Sequence, residues 1–221
     1  MDTRTQITIA NLQKNNMRTY YVEKKEDVVP LVKTLLSKGA TVGSGGSMTL
    51  QECGVTDLLK SGYVNFIDRV AGASAEEIEK VYALQRQADF YFSSANAVTE
   101  SGDLYNVDGR GNRVASIYHG PKQIVIVVGV NKIVKDLREA AYRVKTIAAP
   151  LNAVRLKYAT PCAKTGKCIS LQNLSGEATL NVPMTAGCAT QDRICCDYSI
   201  CGKQRVKDRM TIIVVGETLG Y

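Results

Sequence analysis

The chain lacks several features that would assign it to common functional classes. Its 221 residues include one histidine, His119, which excludes most histidine-rich metal sites. It has no block of lysine and arginine and no basic stripe interleaved with aromatic residues, so nucleic-acid binding is not expected. No apolar run approaches the ~20 residues that span a bilayer, and residues 1–7 lack the apolar core of a signal peptide. We therefore expect a cytoplasmic protein with no membrane partner.

The common nucleotide-binding signatures are also missing. A glycine-rich stretch at 43–47 is not followed by Gly-Lys-Ser/Thr, which argues against a Walker A phosphate loop. The dinucleotide pattern is met at Gly43 and Gly45 but fails at Met48, where a third glycine is required. An ATPase or a typical NAD-dependent enzyme is therefore disfavoured.

What the chain does contain is typical of a folded α/β protein. Hydrophobic residues make up 45% of the sequence, which is enough for a core. The net charge of +7 is compatible with an anionic partner, but sequence charge alone decides little and favours an ordinary solvated surface. Uniformly β-branched runs at 124–128 and 211–215 predict strands buried on both faces. A capping box at Ser74 and Glu77 predicts the start of a helix.

The order of these elements predicts one domain over residues 1–221, with a mostly parallel sheet flanked by helices. Turn-forming residues at 106–112 predict a hairpin. The cysteine-rich, weakly periodic segment 158–209 is expected to be an irregular excursion. The strand at 211–215 is then expected to return to the sheet.

The glycine-rich stretch is the leading candidate for a binding site. Glycine lets backbone amides approach a ligand, and a helix that starts just beyond it adds unpaired donors, which together favour phosphate or carboxylate. A plain strand-to-helix turn is the alternative. Polar residues follow two further strands, where open α/β sheets bind ligands. The predicted ligand-binding residues are Gly43, Ser44, Gly45, Gly46, Ser47, Thr49, Asn96, Thr99, Glu100, Asn131 and Lys132.

Glu52 is the candidate catalytic residue. It lies one or two turns beyond the glycine-rich stretch, where a carboxylate could act as a general base or a covalent nucleophile. A solvated helix glutamate is the alternative.

Six of the seven cysteines crowd the C-terminal part of the chain. Four thiolates could hold Zn²⁺ or an iron–sulfur cluster, although the spacing is not that of a Cys-x-x-Cys knuckle. Reduced, partly buried thiols are the alternative, and disulfides are not expected in a reducing compartment. The preferred metal ligands are Cys162, Cys168, Cys188 and Cys195. Cys53 is expected in the core.

Several motifs, taken in order, resemble the LUD-domain family, which is named for bacterial lactate utilisation. They lie at 45–54, 96–102, 108–114, 120–121 and 129–132. The tail resembles that of stand-alone LUD proteins, with Thr-Gly-Lys-Cys at 165–168, Arg-Ile-Cys at 193–195 and the closing residues 216–221. Residues 169–187 depart from that pattern as an insertion.

The resemblance implies a fold like that of ribose-phosphate isomerases, glucosamine-phosphate isomerases and CoA transferases. In such proteins a glycine-rich loop commonly holds a sugar phosphate, and a glutamate accepts the acyl group in CoA transferases. In related lactate systems the partner subunits carry iron–sulfur clusters, whereas this chain has no ferredoxin-like cluster motif.

Two functional hypotheses follow. The first is a protein of organic-acid metabolism that binds a small anion, such as a phosphate, a CoA ester or a carboxylate, at the glycine-rich loop. The second is a non-catalytic thiolate–metal or redox module, or a subunit that partners an iron–sulfur protein. A homo-oligomer is compatible with either hypothesis.

Overall fold

The computed structural model describes residues 1–69 and 72–221. Its helices are α1 (Thr3–Lys14), α2 (Val28–Leu35), α3 (Met48–Glu52), α4 (Val55–Lys60), α5 (Ala75–Gln85), α6 (Asn112–Tyr118), α7 (Leu137–Arg143), α8 (Ala149–Arg155) and α9 (Pro161–Thr165). Its strands are β1 (Arg18–Val22), β2 (Thr41–Ser44), β3 (Asn65–Ile67), β4 (Phe90–Ser93), β5 (Ala97–Thr99), β6 (Leu104–Asp108), β7 (Gln123–Gly129), β8 (Ile133–Val134), β9 (Asp197–Cys201) and β10 (Met210–Val215).

Six of the strands form one parallel sheet in the order β1-β10-β7-β4-β2-β3. The last strand of the chain, β10, lies inside this sheet between β1 and β7. All six of its residues are buried, as expected for a parallel strand covered on both faces. The predicted α/β class with a mostly parallel sheet is therefore confirmed.

Two apolar layers cover the faces of this sheet. On one face α2, α3 and α4 pack their apolar side chains onto residues such as Phe92, Val127 and Val215. On the other face Leu12 of α1 and Ile117 of α6 belong to a second cluster, which is centred on alternate residues of β7 and β10. The alternation of side chains along each buried strand thus serves both cores.

Parallel pairing brings the carboxyl ends of β2, β4 and β7 to one edge of the sheet. In the register of these strands, Ser44 lies opposite Phe92, and Ser93 lies opposite Ile126. The loops that follow the three strands therefore start side by side at this edge.

A second sheet of four strands, in the order β8-β5-β6-β9, stands beside that edge. The predicted hairpin at 106–112 is wrong, because β6 ends at Asp108 and the chain enters α6 at Asn112. The glycines of this stretch serve a strand-to-helix turn, and Gly111 adopts a φ of 67° as the residue before α6. Within the segment 158–209, strand β9 pairs with β6 in antiparallel orientation.

Helices α7 and α8 are joined by a π-helical turn, Val144–Ala148. Proline at position 150 lacks a backbone N–H and crowds the carbonyl of the preceding turn, which explains a local departure from α-helical bonding. Two cationic side chains of this helical run, Arg143 and Lys145, are buried.

The capping box that the sequence predicts at Ser74 and Glu77 is present at the start of α5.

In the described part of the chain, none of the helices combines the length and the apolar character that crossing a membrane requires.

Candidate functional site

A cavity of about 440 Å³ opens at the edge of the sheet where β2, β4 and β7 end. Its walls include Gly46 and Ser47 from the loop after β2, Ser94 and Asn96 from the loop after β4, and Lys132 after β7. Because the three parallel strands end at the same edge, these predicted residues lie together in one cavity wall. The remaining walls include residues of α5, α6 and α8, the end of β6 with the turn that follows it, Arg69 after β3, and Ile194 and Tyr221 from the C-terminal part of the chain.

The first glycines of the loop are required by packing rather than by a ligand. A methyl group on Gly43 would lie 2.8 Å from Cγ of Gln85, and one on Gly45 would lie 3.0 Å from Cδ of Arg113. The Gly45 amide also donates to the Phe92 carbonyl at 3.1 Å. The backbone amide of Gly45, which the sequence predicts as a ligand donor, therefore already has an acceptor within the protein.

The second half of the loop faces the cavity. Ser47 caps α3, since its hydroxyl accepts from the Leu50 amide at 3.2 Å. Within the described residues, neither backbone nor side-chain acceptors pair with the amides of Gly46 and Ser47. These two amides are available to a ligand.

The cavity is strongly cationic, which the sequence did not reveal. Five basic side chains line it, and Asp108 is the one acidic side chain that lines it among the described residues. They are Arg69, Arg110, Arg113, Lys132 and Arg155.

Arg113 is committed to the protein itself. Its Nη2 lies 2.7 Å from Oδ1 of Asp108, and its Nη1 donates to Asn106 Oδ1 and to the Ser94 carbonyl, both at 2.8 Å. Asn96 Oδ1 accepts from Arg113 Nη2 at 2.9 Å. This network fixes the loop after β4 against the second sheet, so Arg113 and Asn96 position the cavity wall.

Two other guanidinium groups converge on Gly46. A methyl group placed on Gly46 would lie 3.6 Å from Nη2 of Arg69 and 4.0 Å from Nη2 of Arg155. Arg69 is held over the ring of Tyr82, 5.9 Å from its centroid. Arg155 donates from Nε to the Tyr221 hydroxyl at 2.7 Å. Neither forms an ion pair with a carboxylate of the described residues.

Lys132 contributes a buried amine to the wall of the cavity, and only 3% of the residue's surface is exposed. Its Nζ donates to Thr49 Oγ1 at 2.9 Å and to Ser94 Oγ at 3.1 Å, and no carboxylate of the described residues pairs with it. Burial, followed by the positive charges of Arg143 and Arg113, lowers the pKa of this amine to about 7. An amine with such a pKa can gain or lose a proton near neutral pH.

The last three residues of the chain, 219–221, form one side of the cavity through Tyr221 and are called the C-terminal tail below. Three predicted site residues form hydrogen bonds to this tail. Asn131 Oδ1 accepts from the Leu219 amide at 3.1 Å, and Glu52 Oε2 accepts from the Gly220 amide at 2.8 Å. Thr49 is buried between the tail and Lys132. The structure therefore gives Glu52 and Asn131 contacts to the tail, and neither is among the residues that line the cavity.

Two predicted residues lie away from the cavity. Thr99 is fully buried, and its hydroxyl bonds to Asp103 Oδ2 at 2.7 Å within the turn after β5. Glu100 forms an ion pair with Arg4, with Oε1 2.6 Å from Nε. Strand β5 turns into the second sheet after Asn96, and this turn carries both residues away from the edge.

The four cysteines that the sequence groups as metal ligands line a second, much smaller cavity. They are Cys162, Cys168, Cys188 and Cys195. All seven cysteines are free thiols. Cys53 belongs to the core, as predicted, and burial raises its pKa to about 11.

Sequence reasoning missed the arginines, although one of them had a usable signal. Arg69 follows β3, which pairs in parallel with β2, so the rule about strand ends applied to it as well. Arg110 lies in the stretch 106–112, for which the sequence predicts a hairpin, and Arg113 follows it in the first turn of α6. Arg155 reaches the cavity through the packing of α8, for which the sequence has no local signal.

The fold and the cavity together define an α/β protein with a cation-lined site at the carboxyl edge of a parallel sheet. The LUD domain family matches residues 5–215. The chain belongs to the LUD-domain family, as its motifs predict.

Solved structures give a fold-level comparison. A DUF162 family protein from Deinococcus radiodurans is similar over 98% of this chain and 100% of its own, with 14% identity and a TM-score of 0.50. Ribose 5-phosphate isomerase A from Methanocaldococcus jannaschii is similar over 58% of this chain and 65% of its own, with 20% identity and a TM-score of 0.33. The second likeness is too low to support an argument. None of the curated proteins matches the chain.

Proposed function

We propose that this LUD-domain protein binds a small organic anion whose phosphate or carboxylate group lies at Gly46, between Arg69 and Arg155. The convergence of two guanidinium groups on one glycine carries this proposal. Two like charges held close together without a carboxylate repel each other, and an anion relieves that repulsion. Guanidinium groups bind phosphate and carboxylate through paired hydrogen bonds, and the Gly46 and Ser47 amides supply further donors.

The size of the cavity supports a metabolite rather than a bare ion. A volume of about 440 Å³ lies in the range of metabolite-binding pockets. Arg110 contributes a further cation to the walls. The ligand classes that suit these features are phosphate esters, CoA esters and organic acids with carboxylate groups, in keeping with a role in organic-acid metabolism.

Lys132 gives the site a group that can carry out proton transfer. Its Nζ lies in the cavity wall between two hydroxyl groups, and burial keeps the amine partly neutral near pH 7. A general base is most effective when its pKa is close to the working pH. We infer that Lys132 exchanges a proton with the bound ligand, whereas Glu52 remains a candidate only if the tail moves away from it.

The experiment is a thermal-shift screen with sugar phosphates, CoA esters and 2-hydroxy acids, followed by calorimetric titration of each compound that stabilises the protein. R69Q and R155Q should each weaken the binding of such a compound by about tenfold or more, since a charge-assisted hydrogen bond contributes about 1.5–3 kcal/mol. R138Q is the matched control, because Arg138 lies on the exposed face of α7 and is not among the cavity residues. Equal affinity in R69Q, R155Q and R138Q would refute the proposed anchor.

A further inference from the structure

The second cavity brings together four cysteines from separate parts of the chain. Cys162 lies on α9, Cys168 precedes the 3₁₀ turn Ile169–Leu171, and Cys188 and Cys195 lie in the loop before β9. Residues 169–187, an insertion relative to stand-alone LUD tails, lie between Cys168 and Cys188. The chain nevertheless folds so that both cysteines line the same cavity. Sequence spacing alone does not predict this convergence.

The size and the lining of this cavity restrict what can occupy it. Its volume is about 20 Å³, which is near that of a single water molecule. A metabolite, or an iron–sulfur cluster with several atoms, needs far more space. Apart from the sulfur atoms, the walls are largely aliphatic, with Val144, Ala149 and Pro161 among them. A water molecule needs two or more polar partners, whereas a thiophilic metal ion needs the sulfur atoms themselves.

Hydroxyl groups support three of the four sulfur atoms. Thr160 Oγ1 lies 3.2 Å from Sγ of Cys162 and Thr190 Oγ1 lies 3.2 Å from Sγ of Cys188. Ser170 Oγ donates to Sγ of Cys168 at 3.2 Å. Partners of this kind orient metal ligands and stabilise negative charge on sulfur.

Arg193 joins the two cysteines of the loop. Its Nε donates to the carbonyl of Cys195 at 2.9 Å, and its Nη1 donates to the carbonyl of Cys188 at 3.1 Å. One side chain therefore fixes the backbone of both cysteines relative to each other. These two hydrogen bonds hold Cys188 and Cys195 together within the loop.

Lys145, which is buried and lines this cavity, and the half-buried Arg193 beside it both lack a carboxylate partner among the described residues. Lys145 lines it with 4% of its surface exposed, and its Nζ donates to Ser170 Oγ at 3.3 Å and to the Ala186 carbonyl. Neither Lys145 nor Arg193 forms an ion pair with any carboxylate in the ranges 1–69 and 72–221. A buried cation without a counter-charge is costly. A divalent ion held by four thiolates has a net negative charge, which these two cations would neutralise.

We propose that Cys162, Cys168, Cys188 and Cys195 bind one Zn²⁺ ion. Each thiol releases its proton to solvent as its Zn–S bond forms. Four protein ligands leave no open position for a substrate, so the site is structural and holds the C-terminal segment against the π-helical turn. Among the described residues, no three metal-ligating side chains are already close enough to hold a metal ion. Binding of one Zn²⁺ by all four cysteines therefore requires their sulfur atoms to lie closer together than they do in this structure.

The test uses the whole chain, purified under reducing, anaerobic conditions, and metal analysis after treatment with a chelator and return of Zn²⁺. We expect one Zn²⁺ per chain and, after replacement by Co²⁺, the absorption bands of a tetrahedral thiolate complex. C188S and C195S should lower the affinity for Co²⁺ by about 100-fold or more, and S170A by about tenfold, since outer-shell changes alone cost about 10–100-fold.

C196S is the matched control, because Cys196 is exposed, adjoins Cys195 and does not line the cavity. It should bind Co²⁺ as the wild type does. The wild-type titration needs no variant to fold, so the absence of stoichiometric Zn²⁺ and Co²⁺ binding would by itself overturn the proposal. Equal losses in C196S and C188S would also overturn it, as would iron and sulfide in the anaerobically purified protein. None of these readouts depends on the anion-binding cavity.

Discussion

Replacing Lys132 with methionine tests the electrostatic description of the large cavity. Methionine has nearly the length of lysine but no charge, so K132M removes the buried amine and keeps most of its packing. The contacts to Thr49 and Ser94 are lost at every pH. A pH-dependent difference between the two proteins therefore reports the titration of Lys132 itself.

The sign and size of that difference follow from the pKa of Lys132. The pKa is lowered to about 7 in the folded protein from an ordinary value of 10.5. Between these values the unfolded chain binds more protons than the folded chain, so the free energy of unfolding rises with pH. From about pH 6 to about pH 9, Lys132 should make the wild type more stable by about 2.5 kcal/mol, and K132M should lack this increment.

Urea unfolding at a series of pH values, followed by circular dichroism, measures the difference. Other titrating groups contribute to both proteins and cancel when the two curves are subtracted. K132M is also expected to be the more stable protein below pH 7, since it avoids burying a charged amine. Parallel curves, with a constant difference over this pH range, would show that Lys132 keeps an ordinary pKa and would remove it as a proton-transfer group.

Three further variants test the cavity walls. G46A places a methyl group 3.6 Å from Arg69 Nη2; unfolding should change by less than about 0.5 kcal/mol, while calorimetry should show anion affinity reduced by about tenfold. G43A places a methyl group 2.8 Å from Gln85 Cγ; urea unfolding should show a loss of about 1–3 kcal/mol. E52Q keeps an acceptor for the Gly220 amide; anion affinity should be unchanged, and retained turnover would exclude Glu52 as base or nucleophile. A stable G43A, or a G46A that binds as the wild type does, would contradict this description of the loop.

Much of the main sheet could be predicted because buried parallel strands have a strong local signal. The uniformly β-branched residues of β7 and β10 predict strands that are covered on both faces, and both strands lie in the interior of the sheet, flanked by other strands on either side. The predicted hairpin was wrong because the same glycine and asparagine residues suit a strand-to-helix turn, and only the packing of α6 distinguishes the two.

The candidate site was only partly predictable. Loops that follow neighbouring parallel strands are brought together by topology, which explains why Gly46, Asn96 and Lys132 meet. Long arginine side chains reach the cavity from α8 and from the turn before α6, and no local pattern predicts where they end. Glu52 and Asn131 were expected at the ligand, but they bind a C-terminal tail whose path depends on tertiary structure.

Calorimetric titration with inorganic phosphate tests the central claim most directly, since phosphate probes the anchor at Gly46 without the rest of a metabolite. At fixed ionic strength, we expect saturable binding of one phosphate to the wild type and to R138Q. In R69Q and in R155Q the affinity should fall by about tenfold or more. Indistinguishable titrations of all four proteins, or no saturable binding to the wild type, would contradict the claim that these two guanidinium groups form an anion site.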